Sequence, residues 1–205
     1  MTIEIVRDSE VPGGEEILTD EALAFVEDLH HRFDPRRREL LAARHERRER
    51  IARGERLDFP PATRDIREAD WFVPPPPPAL VDRRVEITGP ASPAKMAINA
   101  LNSGARVWLA DLEDASSPTW PNVVGSVLHL RDAARGTLAY TSPEGKAYAL
   151  RTDLRRPTVV TRPRGWHLPE KHVLVDGERG SGSLVDFGLH FFHTAHQLIE
   201  NGDGP

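Results

Sequence analysis

Carboxylates crowd one short segment of the chain, Asp111-Leu112-Glu113-Asp114, and two guanidinium groups flank a proline in another, Arg162-Pro163-Arg164. Each segment follows a short run rich in apolar and β-branched residues, ARVWLA at 105–110 and TVVT at 158–161, and such runs read as strands. A third run, RVEIT at 84–88, ends at Gly89-Pro90. In parallel α/β folds the carboxyl ends of strands gather functional groups, because loops converge there and helix amino termini point free N–H groups inward. Acidic and guanidinium groups brought together in this way can neutralise one another, bind a divalent cation, or clamp a carboxylate substrate through paired hydrogen bonds. Spacing alone leaves these readings open, a structural ring of ion pairs among them.

Other combinations fail as sites. His167-Leu168-Pro169-Glu170-Lys171-His172 has the wrong spacing for a zinc-protease helix and a proline inside it. Gly180-Ser181-Gly182-Ser183 lacks the lysine of a phosphate-binding loop and is expected to be a flexible loop. His190, His193 and His196 share a helix face with Leu189, Phe191 and Phe192 beside them, which suits a packing helix with histidines at its edge. The absence of cysteine removes disulfides, thiolate metal sites and cysteine nucleophiles.

The elements that must hold these residues change character along the chain. Thr19 is an N-cap for a helix over 20–33, which Asp34-Pro35 should stop, and a second helix runs over 36–52 to Gly54. That second helix is crowded with arginine, and the interspersed Glu39, Glu46 and Glu49 favour a solvated face over a nucleic-acid arm. Pro74 to Pro78 form a stiff spacer. After it, strands alternate with helices, one opened by Ser92-Pro93 and closed by Gly104 and two more over about 120–134 and 184–199, and a hairpin over 137–150 turns at Ser142-Pro143-Glu144-Gly145. The expected organisation is a helical amino-terminal domain over 1–80 and an α/β domain over 81–205. With 205 residues, 39% hydrophobic and 29% charged, the chain is long enough to bury a core. A net charge of −5 argues against a general nucleic-acid binder. No run approaches a membrane span and no leader is visible, so a cytoplasmic protein without membrane or nucleic-acid partners is expected. The last residues read as a loop leading onward, which suggests a piece of a longer polypeptide.

Several motifs in order resemble malate synthase of the A type: DRRVEITGP at 82–90, MAINALNS at 96–103, ADLED at 110–114, RGWHLPEKH at 164–172, SLVDFGL at 183–189 and FFH at 191–193. The segment IREADW at 66–71 fits as well. The resemblance implies the opening strands and helices of a TIM barrel behind a helical clasp, a magnesium ion (Mg2+), and a Claisen condensation of acetyl-CoA with glyoxylate, followed by hydrolysis of malyl-CoA in the glyoxylate cycle. It maps the arginine that stabilises the enolate oxygen onto Arg162, and an acidic pair near the magnesium and its waters onto Glu113 and Asp114. The metal-ligating carboxylates and the aspartate base of the family have no counterpart in these residues, so the chain by itself is expected to be inactive and to leave a strand edge uncovered. Two other readings stand beside it: a related CoA-ester lyase or aldolase of barrel type, and a non-enzymatic RNA-binding or scaffold protein built on the arginine-rich helix. The amino-terminal helices and RGWHLPEKH favour the synthase.

Overall fold

The computed structural model describes residues 2–6 and 9–202; the end of the loop read above at 203–205 lies outside the described residues. Along the chain the elements are β1 (Ile3–Ile5), α1 (Asp20–Ala52), α2 (Arg64–Glu68), β2 (Glu86–Gly89), α3 (Ala94–Leu101), β3 (Val107–Asp111) and α4 (Trp120–Arg135). The hairpin β4 (Ala139–Thr141) and β5 (Ala147–Ala149) follows, then β6 (Thr158–Arg162), β7 (Pro169–Val175), β8 (Glu178–Ser181) and α5 (Gly182–Glu200).

The three strands expected from the sequence form one parallel sheet in the order β2-β3-β6. Helices α3 and α4 pack on it: Ala97, Ile98, Leu101 and Leu130 enclose Trp108, which is fully buried, with Ala110 and Leu112. The inner strand β3 is largely buried, whereas β2 and β6 are the sheet edges and are only partly covered. Among the described residues the sheet does not close into a barrel.

Two expectations need correction. The helix stop at Asp34-Pro35 does not occur, and α1 is one helix of 33 residues with Pro35 inside it. Proline forfeits one helical hydrogen bond, but buried Asp34 accepts from Arg37 Nε and Arg38 Nε, both at 2.6 Å, on the following turn. Arg37 Nη1 also donates to the Trp166 carbonyl at 3.0 Å, and Arg38 pairs with Glu178, so tertiary contacts hold the helix straight through. Beyond that point α1 is mostly exposed, with ion pairs such as Arg36–Glu39 along it, which is the solvated face expected.

The second correction concerns Gly180–Ser183, expected to be a flexible loop: it is the end of β8 and the start of α5, buried throughout. The sequence reading passed over an antiparallel sheet, β1-β7-β8, that sets it there. Its hairpin turns on Asp176 (φ 53°) and Gly177 (φ 80°), and Asp-Gly is the pair a two-residue turn of this kind favours. This sheet, α1, α4 and α5 share a second core of Ile17, Val26, Trp120, Val127, Val173, Val185 and Leu189.

At Gly188 on α5 the side chains of α1 come close. A Cβ there would lie 2.9 Å from Val26 Cγ2 and 3.0 Å from Leu29 Cδ1. Overpacking of this kind costs about 1–3 kcal/mol. Gly188→Ala is therefore expected to lower the stability of the chain by that amount in urea denaturation, although alanine is the better helix former; an unchanged or raised midpoint would contradict the tight α1–α5 contact.

Candidate active site at the strand ends

Strand register builds the site. In the β3–β6 ladder Asp111 lies directly opposite Arg162, so the two side chains leave the sheet on the same face. Buried Asp111 then organises the loop after β3: its carboxylate accepts the N–H groups of Glu113 (2.9 Å), Asp114 (3.1 Å) and Ala115 (3.1 Å). That turn delivers Glu113 and Asp114 to Arg162, whose Nη2 donates to Glu113 Oε2 at 2.8 Å and to Asp114 Oδ2 at 2.7 Å, while Nη1 reaches Asp111 Oδ2 at 3.4 Å. Glu113 uses its other oxygen to accept the Gly165 N–H at 3.1 Å. A Cβ on residue 165 would sit 2.8 Å from that oxygen, so a larger residue there would push the Glu113 carboxylate aside.

The three candidate residues of the sequence, Arg162, Glu113 and Asp114, are thus in contact. Arg162 is 37% exposed, Glu113 is largely covered, and Asp114 is 72% exposed. The hydrogen bond to Asp114 raises the Arg162 pKa above its ordinary value. A permanently charged guanidinium with donors left over, open to solvent on one side, suits stabilisation of a developing oxyanion. Asp114 is the partner that can leave, since an exposed ion pair holds weakly.

Arg164 does something else. The sequence placed it with Arg162 at the same strand end, but it turns away and is buried. Its Nε and backbone N–H both donate to Asp186 Oδ2 at 2.9 Å, its Nη2 donates to Asp186 Oδ1 at 2.7 Å, and its Nη1 meets Glu170 Oε2 at 2.6 Å. Burial opposes the Arg164 charge, but the hydrogen bond and charge of Asp186 more than reverse that and push its pKa up. Burial likewise pushes the Asp186 carboxyl up, against the bonds from Arg164. Glu170 in turn accepts the His172 backbone N–H at 2.8 Å and meets its ring Nδ1 at 2.6 Å. Sequence reasoning missed Glu170, His172 and Asp186; the alternation of Glu170 and His172 along a strand was the available signal. The third strand end, Thr88-Gly89-Pro90, brings no charge, and Gly89 accepts the Trp108 indole N–H at 3.3 Å.

These residues do not fit a magnesium ion by themselves. Asp111 is saturated by amides, Glu113 spans Arg162 and Gly165, and among the described residues no group of three or more His, Asp or Glu is gathered as a metal would require.

The histidine helix packs, as expected. His193 meets the Ile17 carbonyl at 2.8 Å, His196 is exposed, and His190 Nε2 lies 3.1 Å from Thr161 Oγ1 behind β6. Burial pushes the His190 pKa down to about 4. The unfolded chain therefore takes up a proton near the ordinary value of about 6.5 while the folded one stays neutral. Stability from this group is whole above about pH 6.5 and is lost as pH falls toward about 4, by at most about 3 kcal/mol. His30 and His129, also lowered by burial, act in the same direction. Denaturation midpoints of the chain should fall between pH 6.5 and 4, and His190→Gln should flatten that fall; an equal slope in the variant would refute the assignment.

The two arginines separate in a second test. Breaking a buried pair costs about 3–5 kcal/mol and an exposed one below about 1 kcal/mol. Asp186→Asn should therefore destabilise the chain strongly while Asp114→Asn should barely register in the same urea titration. Equal effects would remove the distinction between a structural and an exposed arginine.

A parallel sheet backed by helices, with a charged arginine and carboxylates at its strand ends, defines an α/β segment of the kind that carries an active site at its loops. Comparison with known proteins narrows the class. Residues 4–65 match the family described as malate synthase, N-terminal domain, and residues 158–205 match malate synthase, TIM barrel domain. Malate synthase of Streptomyces clavuligerus is 56% identical over 204 residues, covering 98% of this chain and 38% of that protein. For malate synthase of Myxococcus xanthus the identity is 51%, over 98% of this chain and 37% of the relative. Malate synthase A of Escherichia coli is 47% identical over 95% of this chain and 36% of the relative. The chain belongs to the malate synthase family, and it spans under two fifths of the length of these relatives. Among the described residues no helix is long and apolar enough to cross a membrane.

Proposed function

We propose that this chain supplies the amino-terminal clasp, over 1–80, and the opening of the barrel, over 81–205, of a cytoplasmic enzyme that condenses acetyl-CoA with glyoxylate to give malate and CoA. The observation that carries the reading is Arg162 at the end of β6, facing Asp111, Glu113 and Asp114. In the proposed reaction a carboxylate base from outside this chain removes a proton from the acetyl methyl group. The resulting enolate carbon attacks the aldehyde carbon of glyoxylate, and water then cleaves the thioester. A thioester C–H is a very weak acid, so the enolate needs fixed positive charge held in place beforehand. Arg162 supplies it through N–H groups that Asp114 gives up, while Asp111 and Glu113 keep the guanidinium plane in position. Magnesium is part of the same proposal, with its ligands from outside this chain and with Glu113 and Asp114 nearby. The small-molecule partners are acetyl-CoA and glyoxylate, and no nucleic-acid or membrane partner is invoked.

The experiment joins residues 1–205 to the remainder of the Streptomyces clavuligerus relative and follows CoA release. Glyoxylate-dependent release is expected from the joined protein and none from the chain alone. Arg162→Lys in the joined protein should lower kcat by about 10²–10³ with little change in KM for acetyl-CoA, since lysine keeps the charge but loses the planar fork used in the transition state. Near-normal turnover of that variant would overturn the role of Arg162, and release by the unjoined chain would overturn the assignment of the base.

A further inference from the structure

The backbone that leaves β6 after Arg162 is pinned along its length. Arg164 N–H donates to Asp186 Oδ2 at 2.9 Å and Gly165 N–H to Glu113 Oε1 at 3.1 Å. The Gly165 carbonyl accepts the Leu168 N–H at 3.0 Å, which closes a four-residue turn with Trp166 and His167 at its corners. Arg37 of α1 holds the Trp166 carbonyl at 3.0 Å, and the Leu168 carbonyl accepts the Gly182 N–H at 2.8 Å. The corner side chains are in the opposite condition. Trp166 is 47% exposed, His167 is exposed as well, and neither side chain has a hydrogen-bond or ion-pair partner among the described residues.

His167 also stands at the strand-end site itself. The point that a Cβ on residue 165 would occupy lies 2.8 Å from Glu113 Oε1 and 2.9 Å from His167 Cε1. The imidazole and the carboxylate that grips Arg162 therefore crowd the same side of Gly165. An indole and an imidazole left in water on a fixed backbone suit binding, because little backbone freedom remains to be lost on contact. The chemistry of the two substrates decides between them. Glyoxylate has two carbons, both bonded to oxygen, and gains little from an indole face. The arm of a CoA thioester alternates amides with methyl and methylene groups. Trp166 offers apolar area and an N–H, and the neutral ring of a histidine offers one donor and one acceptor, which matches that alternation.

We propose, on the reading that acetyl-CoA is the substrate, that Trp166 and His167 seat the arm of its thioester. His167 meets the end nearest the reacting carbonyl, beside Glu113 and Arg162, and Trp166 lies along the arm further out. Arg37 and Asp186 serve the same purpose without touching substrate, since they hold the turn that carries both rings.

The test titrates the 205-residue chain with pantetheine, which is the arm alone, with adenosine bisphosphate, which stands for the nucleotide alone, and with glyoxylate. The Trp166 indole N–H and His167 ring resonances are followed by NMR. Pantetheine should move both saturably, with a dissociation constant on the order of 10 mM for part of a site, and the other two compounds should leave them in place. Resonances that stay still with pantetheine overturn the proposal, as does an equal response to the nucleotide or to glyoxylate. In the joined protein Trp166→Ala, which keeps the carbonyl that Arg37 holds, should raise KM for acetyl-CoA at least about tenfold and leave KM for glyoxylate unchanged. Val81→Ala, at a position that is also exposed but lies near the start of β6 rather than its end, should raise neither. An unchanged KM for acetyl-CoA in Trp166→Ala, or an equal rise for both substrates, counts against the seat. The titration needs no turnover, so the turn can fail while the joined protein still releases CoA, and the reaction can fail while the resonances still move.

Discussion

Slipping β6 by one residue against β3 would dismantle the strand-end cluster, because side chains alternate across a strand and every second one faces the other way. In the observed register Asp111 and Arg162 are partners, and so are Trp108 and Val159 on the opposite, helix-covered face. Burial of Trp108 under α3 and α4 therefore fixes the register, and the register fixes the chemistry. The apolar face resists a slip, since Val159, packed against the cluster that encloses Trp108, would turn to the opposite face. Asp111 completes the coupling: its carboxylate accepts the backbone amides of Glu113, Asp114 and Ala115 and so holds the loop where the strand ends.

The two arginines that follow β6 show how burial sorts like groups into unlike roles. Arg162 meets three carboxylates yet stays partly exposed, where each exposed pair contributes little to stability. Arg164 meets two and is out of water, where loss of a partner leaves an uncompensated charge. The buried pair locks the residues just after Arg162 to α5 through Asp186 and to β7 through Glu170. A partly exposed guanidinium held by three carboxylates thus stands on a backbone that the buried pair fixes from two sides.

Much of this arrangement was legible in the residues. Short runs rich in apolar and β-branched residues gave all three strands of the parallel sheet, two of them ending in charge, and Ser142-Pro143-Glu144-Gly145 gave the β4–β5 hairpin, whose strands pair Tyr140 with Tyr148. The cluster of Arg162, Glu113 and Asp114 followed from strand-end placement together with a family resemblance. What stayed hidden depended on partners far along the chain. Pro35 reads as a stop because local propensity knows nothing of Trp166, whose carbonyl holds Arg37. Gly180-Ser181-Gly182-Ser183 reads as a flexible loop because composition cannot report that His30 accepts the Ser181 N–H at 2.9 Å. Arg164 reads like Arg162 because a sequence does not reveal which of two neighbouring cations a buried aspartate will claim.

Those hidden contacts share a direction. From α1, His30 reaches Ser181, Arg37 reaches Trp166 and Arg38 reaches Glu178, while from the β3 loop Glu113 reaches Gly165. The stretch between Arg162 and α5 is thereby gripped from the amino-terminal helix on one side and from the strand-end loop on the other. His30 can do this only as a neutral ring: its Nδ1 donates to the Val26 carbonyl at 2.8 Å and its Nε2 accepts, and burial lowers its pKa accordingly. Protonation would turn that acceptor into a donor facing another donor. The amino-terminal helix is consequently a structural member of the strand-end site rather than an appendage to it, since the backbone that carries Arg162 continues directly into the segment that α1 holds.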